Sequence, residues 1–97
     1  MRFKDRDIEA FWLDSSRFIP RRVPPELRRS LFRKLQMLDA AEASGSLNDL
    51  RVPPSNRLER LSGDRAGCYS IRVNRQWRLC FLWTKHGIEG VELVDYH

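Results

Sequence analysis

From Tyr69 to Trp83 apolar and polar side chains alternate almost without a break. Tyr69, Ile71 and Val73 interleave with Ser70, Arg72 and Asn74, and Trp77, Leu79, Phe81 and Trp83 with Arg78, Cys80 and Leu82. A period of two belongs to strands that bury one face of a sheet. Asn74-Arg75-Gln76 is a suitable hairpin connection, so the two strands are expected to pair antiparallel. Lys85-His86-Gly87 punctuates a second turn, after which Val91 and Leu93 mark a last strand. Arg57 to Leu61 is a further candidate strand, with Leu58 and Leu61 apolar between polar residues and Gly63-Asp64 following as a turn.

A sheet with one apolar face needs a cover, and the first half of the chain supplies helices. Ile8, Phe11 and Trp12 stand at helical spacing behind Asp5 and Asp7, carboxylates that favour a helix N-terminus, which predicts a helix over Asp5 to Ser15. Met1 to Phe3 would lead in as a short strand, and Ser16 to Val23 would form a loop. From Pro25, Leu27, Leu31, Leu35 and Leu38 form an apolar stripe, with Arg28, Arg29, Arg33 and Lys34 mostly off it. This predicts an amphipathic helix ending near Ala43, stopped by Ser44-Gly45-Ser46. Val52-Pro53-Pro54-Ser55-Asn56 then reads as extended and turn-like. The expected fold class is α+β, with two N-terminal helices on one face of an antiparallel sheet of three to five strands and the other face left free.

Ninety-seven residues suffice for one domain. Three tryptophans and five phenylalanines provide enough apolar volume to exclude intrinsic disorder. The formal net charge is +5 and arginines far outnumber lysines, which points to a phosphate backbone or an acidic partner. Cys68 and Cys80 are too few for a disulfide framework. With only His86 and His97 as imidazoles, no zinc spacing exists. No metal or cofactor is expected, and both thiols should be reduced. The start Met1-Arg2-Phe3-Lys4-Asp5 lacks a signal-peptide core, and no stretch reaches transmembrane length, so the expectation is a soluble cytoplasmic protein with no membrane partner.

Alternation puts Arg72 and Arg78 on the side opposite the apolar residues. There, two guanidinium groups on neighbouring strands can clamp a phosphate or simply make surface ion pairs. Asp95, Tyr96 and His97 gather a carboxylate, a phenol and an imidazole at the end of the last strand. Histidine is the side chain best suited to proton exchange near neutral pH.

Several segments together resemble the HigB-type toxins of the RelE-like superfamily: Asn56-Arg57-Leu58-Glu59, the run from Leu61 to Gly67, Ser70-Ile71-Arg72-Val73-Asn74, Gln76-Trp77-Arg78, and Val91-Glu92-Leu93-Val94-Asp95-Tyr96-His97. The likeness spans nearly the whole chain. The combination of Gly-Asp-Arg, Trp-Arg-Leu-Cys-Phe and a terminal Asp-Tyr-His is far more specific than any one part. It implies a RelE-like fold with a curved sheet and messenger RNA bound on the face away from the helices, at the ribosomal decoding site. It further implies a HigA-type helix-turn-helix antitoxin, through which alone the pair would touch operator DNA.

Carried across by position, the resemblance assigns Arg78 to the scissile phosphate, Arg65 to a loop contact, Arg72 to a basic strand position, and Asp95, Tyr96 and His97 to the terminal catalytic group. Arg57 and Arg60 join Arg65 and Arg72 as candidate RNA contacts. The chain departs from the pattern at Glu59, where some members carry histidine, and at Ser62, where many carry lysine. Either His97 or Glu59 would take the proton from a ribose 2′-hydroxyl. Tyr96 would stack on a base or bond a phosphate oxygen. The contrasting expectation is a noncatalytic nucleic-acid-binding module, or a degenerate toxin acting only through its antitoxin complex.

Overall fold

A computed structural model describes residues 1–62 and 67–95. Helix α1 (Arg6–Leu13) and helix α2 (Arg28–Ser44) precede strands β1 (Glu59–Arg60), β2 (Cys68–Arg72), β3 (Trp77–Thr84) and β4 (Gly87–Asp95). The strands form one antiparallel sheet in the order β1-β2-β3-β4. The α+β class, the helices and the hairpin are therefore as the alternation and the leucine stripe predict. A 3-10 turn at Pro25–Leu27 leads into α2, which ends at Gly45 in the left-handed conformation (φ 71°), where a side chain would be strained. A second and a third 3-10 turn, Leu47–Arg51 and Pro54–Asn56, carry the chain from α2 to β1.

The core lies between the helices and one face of the sheet. Leu27, Leu31, Leu35 and Leu38 of the stripe are buried there with Ile8, Phe11, Ile71, Leu79, Phe81, Ile88, Val91 and Leu93. Phe32 closes one end, edge-on to Phe11 (5.7 Å) and tilted against Trp12 (5.3 Å). In β4 the core residues Ile88, Val91 and Leu93 break strict alternation because the pairing with β3 shifts between Cys80 and Leu82. Gly90, at φ 62°, lies in the shifted stretch, and the extra residue keeps Ile88 and Val91 on one face. Asn74 organises the β2–β3 turn, its Oδ1 accepting from the Gln76 and Trp77 amides at 2.8 and 2.7 Å.

β4 is an edge strand whose outer side is occupied. The chain start runs parallel to it through a Phe3–Val91 bridge, with Arg2 donating to the Ile88 carbonyl and Lys4 to that of Val91. Further along, side chains take over. Asp5 Oδ2 accepts from the Leu93 amide at 2.8 Å, and Arg22 Nη1 donates to the Leu93 carbonyl at 3.0 Å. Arg22 also donates to Asp5 (2.6 Å) and Asp7 (2.9 Å). Asp5 thus occupies the N-cap position of α1 without a side-chain cap bond, because its carboxylate is committed to the strand and the arginine.

Two expectations need correcting. The strand foreseen over Arg57 to Leu61 is only Glu59–Arg60, because Arg57 adopts a left-handed conformation (φ 44°) that interrupts an extended chain. Lys34, placed off the apolar stripe, is buried, 9% exposed, with Nζ donating to Asn56 Oδ1 at 2.5 Å.

The hydrogen bond from Arg22 holds the Asp7 carboxyl below its usual value against the opposing effect of partial burial. A carboxyl with a depressed folded-state pKa contributes stability above its unfolded value and loses it as pH falls. The stability difference between wild type and Asp7→Asn should therefore be fully present above about pH 5 and shrink below about pH 4. Urea unfolding across that range measures it, and a difference independent of pH would contradict the ion-pair account.

Candidate functional site

Pairing across the sheet places Glu59, Ser70, Cys80 and Glu92 in one row on the face away from the helices, with Arg72, Arg78 and Val94 in the next. Ser70 and Cys80 are fully buried and Arg78 is 7% exposed. The face is consequently not the free surface that alternation implies. Its floor is closed by the Arg78 side chain and by the backbone at Arg57, which folds over the sheet as it enters β1.

Arg78 is the fixed point of this floor. Its Nε donates to Ser70 Oγ at 2.9 Å, and Nη2 donates to the Arg57 carbonyl at 2.6 Å and to the Ser70 carbonyl at 3.4 Å. Glu59 Oε2 stands 3.9 Å from Nη2, with the Glu59 side chain about half exposed. The left-handed turn at Arg57 aims a main-chain oxygen at the guanidinium, while β1–β2 pairing brings Glu59 beside it. Arginine suits the position because its planar fork reaches several acceptors while keeping its charge.

The other proposed residues separate. Arg72 lies opposite Arg78 in register and bends back, its Nε donating to the Asn74 carbonyl at 3.2 Å. The backbone of Arg57 serves the site, and its side chain is exposed. Arg60 pairs with Tyr69 and so has the parity of the helix-facing side, at the exposed sheet edge. Asp95 pairs with Trp77, also on the helix-side parity, and accepts from Gln76 Nε2 at 3.1 Å. Neither Arg60 nor Asp95 therefore shares the face of Arg78, because each stands an odd number of residues from Glu59 or Val94, which do. Arg65, Tyr96 and His97 lie outside the described residues. Ser70 was missed. Its place between Tyr69 and Ile71 puts it on the polar side, but only the β2–β3 register shows that it meets Arg78.

Among the described residues no group of three or more histidine, cysteine or acidic side chains is arranged to hold a metal ion. None of their helices is long and apolar enough to cross a membrane.

Two helices on one face of a four-stranded antiparallel sheet, with an arginine anchored in the opposite face, define a small α+β protein of the fold seen in the YoeB-YefM complex from Staphylococcus aureus. The match has a TM-score of 0.57 at 18% identity and covers 99% of this chain and 93% of that one. Residues 1–97 match the model of the RelE-like toxin of type II toxin-antitoxin system HigB, and the chain belongs to that family. It is 46% identical over 96 residues to Toxin HigB-1 of Vibrio cholerae serotype O1, covering 99% of this chain and 92% of the relative. It is 34% identical over 64 residues to Endoribonuclease HigB of Proteus vulgaris, 66% of this chain and 65% of that protein.

Ser70→Ala removes the Nε acceptor of a buried cation. Unfolding free energy should drop by about 1.5–3 kcal/mol, the usual size for a hydrogen bond to a charged group. Urea denaturation measures the change, and an unaltered midpoint would show that the bond contributes nothing.

Proposed function

We propose that this chain is an endoribonuclease toxin that cuts messenger RNA on the ribosome, without a metal ion, and is neutralised in the cytoplasm by a HigA-type antitoxin. The whole chain would act as one RelE-like domain. The observation that carries the reading is the Arg78 guanidinium anchored in the sheet face of a HigB-family chain, with a carboxylate beside it.

In this reading Arg78 stabilises the charge that develops on the phosphorus oxygens. Its hydrogen bonds fix it before substrate arrives, so little reorganisation is needed during reaction. Glu59 stands at ion-pair rather than hydrogen-bond distance and is half exposed, so an incoming phosphate can displace it from the cation. His97 or Glu59 takes the proton of the 2′-hydroxyl, and the 2′-oxygen forms a bond to the adjacent phosphorus. The bond to the 5′-oxygen breaks, and that oxygen leaves with a proton from solvent or from the second of these groups. The products are a 2′,3′-cyclic phosphate and a 5′-hydroxyl. Arg72 and Arg65 assist with charge, and Tyr96 stacks on a base or bonds a phosphate oxygen. Asp95, on the other side of the strand, orients the residues after it rather than touching the phosphate. Ribosomal RNA supplies the strand geometry that so small a set of acid–base groups does not.

One observation favours a second reading: at 7% exposure and with several partners, Arg78 also fits a purely structural cation in a degenerate toxin that acts only through its antitoxin complex. The two are separated by brief expression in growing cells and mapping of new 5′ ends on transcripts. The nuclease reading expects ends within translated regions, lost in Arg78→Ala and in a variant lacking His97, with circular dichroism showing both folded. No new ends with the wild-type chain would favour the degenerate toxin.

A further inference from the structure

Beside the Arg78 face, between α2 and the β2–β3 connection, a pocket is lined by Ser30, Lys34 and Ser55 on one side and by Arg72, Asn74 and Arg75 on the other. Among the described residues its lining holds three cations, two hydroxyls, an amide and Val73, and no carboxylate.

Lys34 is the unusual member. It sits on the buried side of α2 at 9% exposure, and its one hydrogen-bond partner among the described residues is a neutral oxygen, Asn56 Oδ1. That oxygen cannot be exchanged for the amide nitrogen without loss, since Asn56 Nδ2 already donates to the Leu50 carbonyl at 3.1 Å and to that of Val52 at 3.4 Å. Asn56 therefore holds the ammonium without neutralising it. Desolvation, with Arg33 nearby, lowers the pKa of Lys34, as expected of a cation left without a counter-charge. Burying an uncompensated charge costs stability, and an anion drawn into the pocket offsets that cost.

Arg72 belongs both to the pocket and to the candidate active face. It stands opposite Arg78 in register, so their Cα atoms are only about 4.5–5.5 Å apart. A nucleic-acid strand with one phosphate at Arg78 would carry a neighbouring phosphate to this opening. A hydroxyl- and amide-lined pocket with three cations suits the oxygens of a phosphodiester.

We propose that this pocket is a second phosphate subsite, in which Lys34, Arg75 and Arg72 hold a backbone phosphate of the substrate RNA strand next to the one at Arg78. The assignment rests on the nuclease reading and adds to it the means by which the strand is gripped. Lys34 and Arg75 bind substrate here and take no part in proton transfer.

The test is binding of a single-stranded RNA methylated at every 2′-hydroxyl, which cannot be cleaved, followed by fluorescence anisotropy over a series of salt concentrations. Lys34→Gln and Arg75→Gln are each expected to weaken binding roughly tenfold at low salt. Each should also flatten the dependence of log affinity on log salt by about 0.7, the value for one phosphate contact on a single strand. The double variant should flatten it no further, because both side chains act on one phosphate. Thermal unfolding of each variant is recorded alongside, and Arg75, being exposed on the turn, provides a variant with no core to disturb.

Unchanged affinity and slope in both single variants, with binding weakened by Arg78→Ala, would overturn the subsite while leaving the nuclease face standing. A lower unfolding temperature for Lys34→Gln with an unaltered slope would overturn it too, as would weakened binding of a protein partner with RNA binding intact. No measurable RNA binding by the wild-type chain, or binding indifferent to Arg78→Ala as well, would overturn the subsite, while the nuclease reading on the ribosome is decided separately by the mapped 5′ ends.

Discussion

An arginine buried in a sheet must be surrounded by acceptors, and the arrangement around Arg78 shows how much of this fold meets that requirement. Ser70 occupies the neighbouring strand position where a hydroxyl reaches Nε. The chain before β1 turns through a left-handed residue so that the Arg57 carbonyl meets Nη2. That turn shortens β1 to two residues and brings Glu59 beside the cation. β3 is consequently buried on both faces from Trp77 to Phe81, with aromatic and aliphatic groups on the helix side and Arg78 and Cys80 on the other. The family's chemistry, as proposed, uses a charge that the fold already immobilises.

The second constraint is the outer edge of β4. An open edge offers unpaired amides and carbonyls to any other strand. Here the chain start covers one part of it, and the Asp5 and Arg22 side chains take the Leu93 amide and carbonyl. The same contacts tie the loop between the helices to the strand that leads to the terminal Asp95-Tyr96-His97. Edge protection and the anchoring of β4 thus share one set of charged side chains.

Much of the fold was legible because burial on one side imposes a period. The leucines of α2 and the alternation of β2 and β3 reported their own geometry. Charged positions were less legible, since a period tells which side a residue faces and not what meets it there. Arg78 was assigned to the correct face, but its burial depends on a carbonyl twenty-one residues earlier in the chain. Lys34 was set off the leucine stripe because it is charged, although it stands three residues after Leu31 and four before Leu38, the spacing of one helix face, and the return of the chain at Asn56 encloses it. The parity of Asp95 was legible in the sequence: it lies two residues beyond Leu93, a core residue, and so inherits the helix-side parity.

On the proposed reading, the Arg78 face promotes attack by a 2′-hydroxyl with no metal ion participating. The most direct test of this is the end chemistry of a defined messenger RNA cut by the purified chain on ribosomes, assayed on isolated stalled complexes with the magnesium needed for ribosome integrity replaced by cobalt hexammine and polyamines. Cleavage is expected under those conditions, leaving a 2′,3′-cyclic phosphate and a 5′-hydroxyl. A 3′-hydroxyl with a 5′-phosphate, or cutting restored only when a divalent ion is returned to intact complexes, would contradict it.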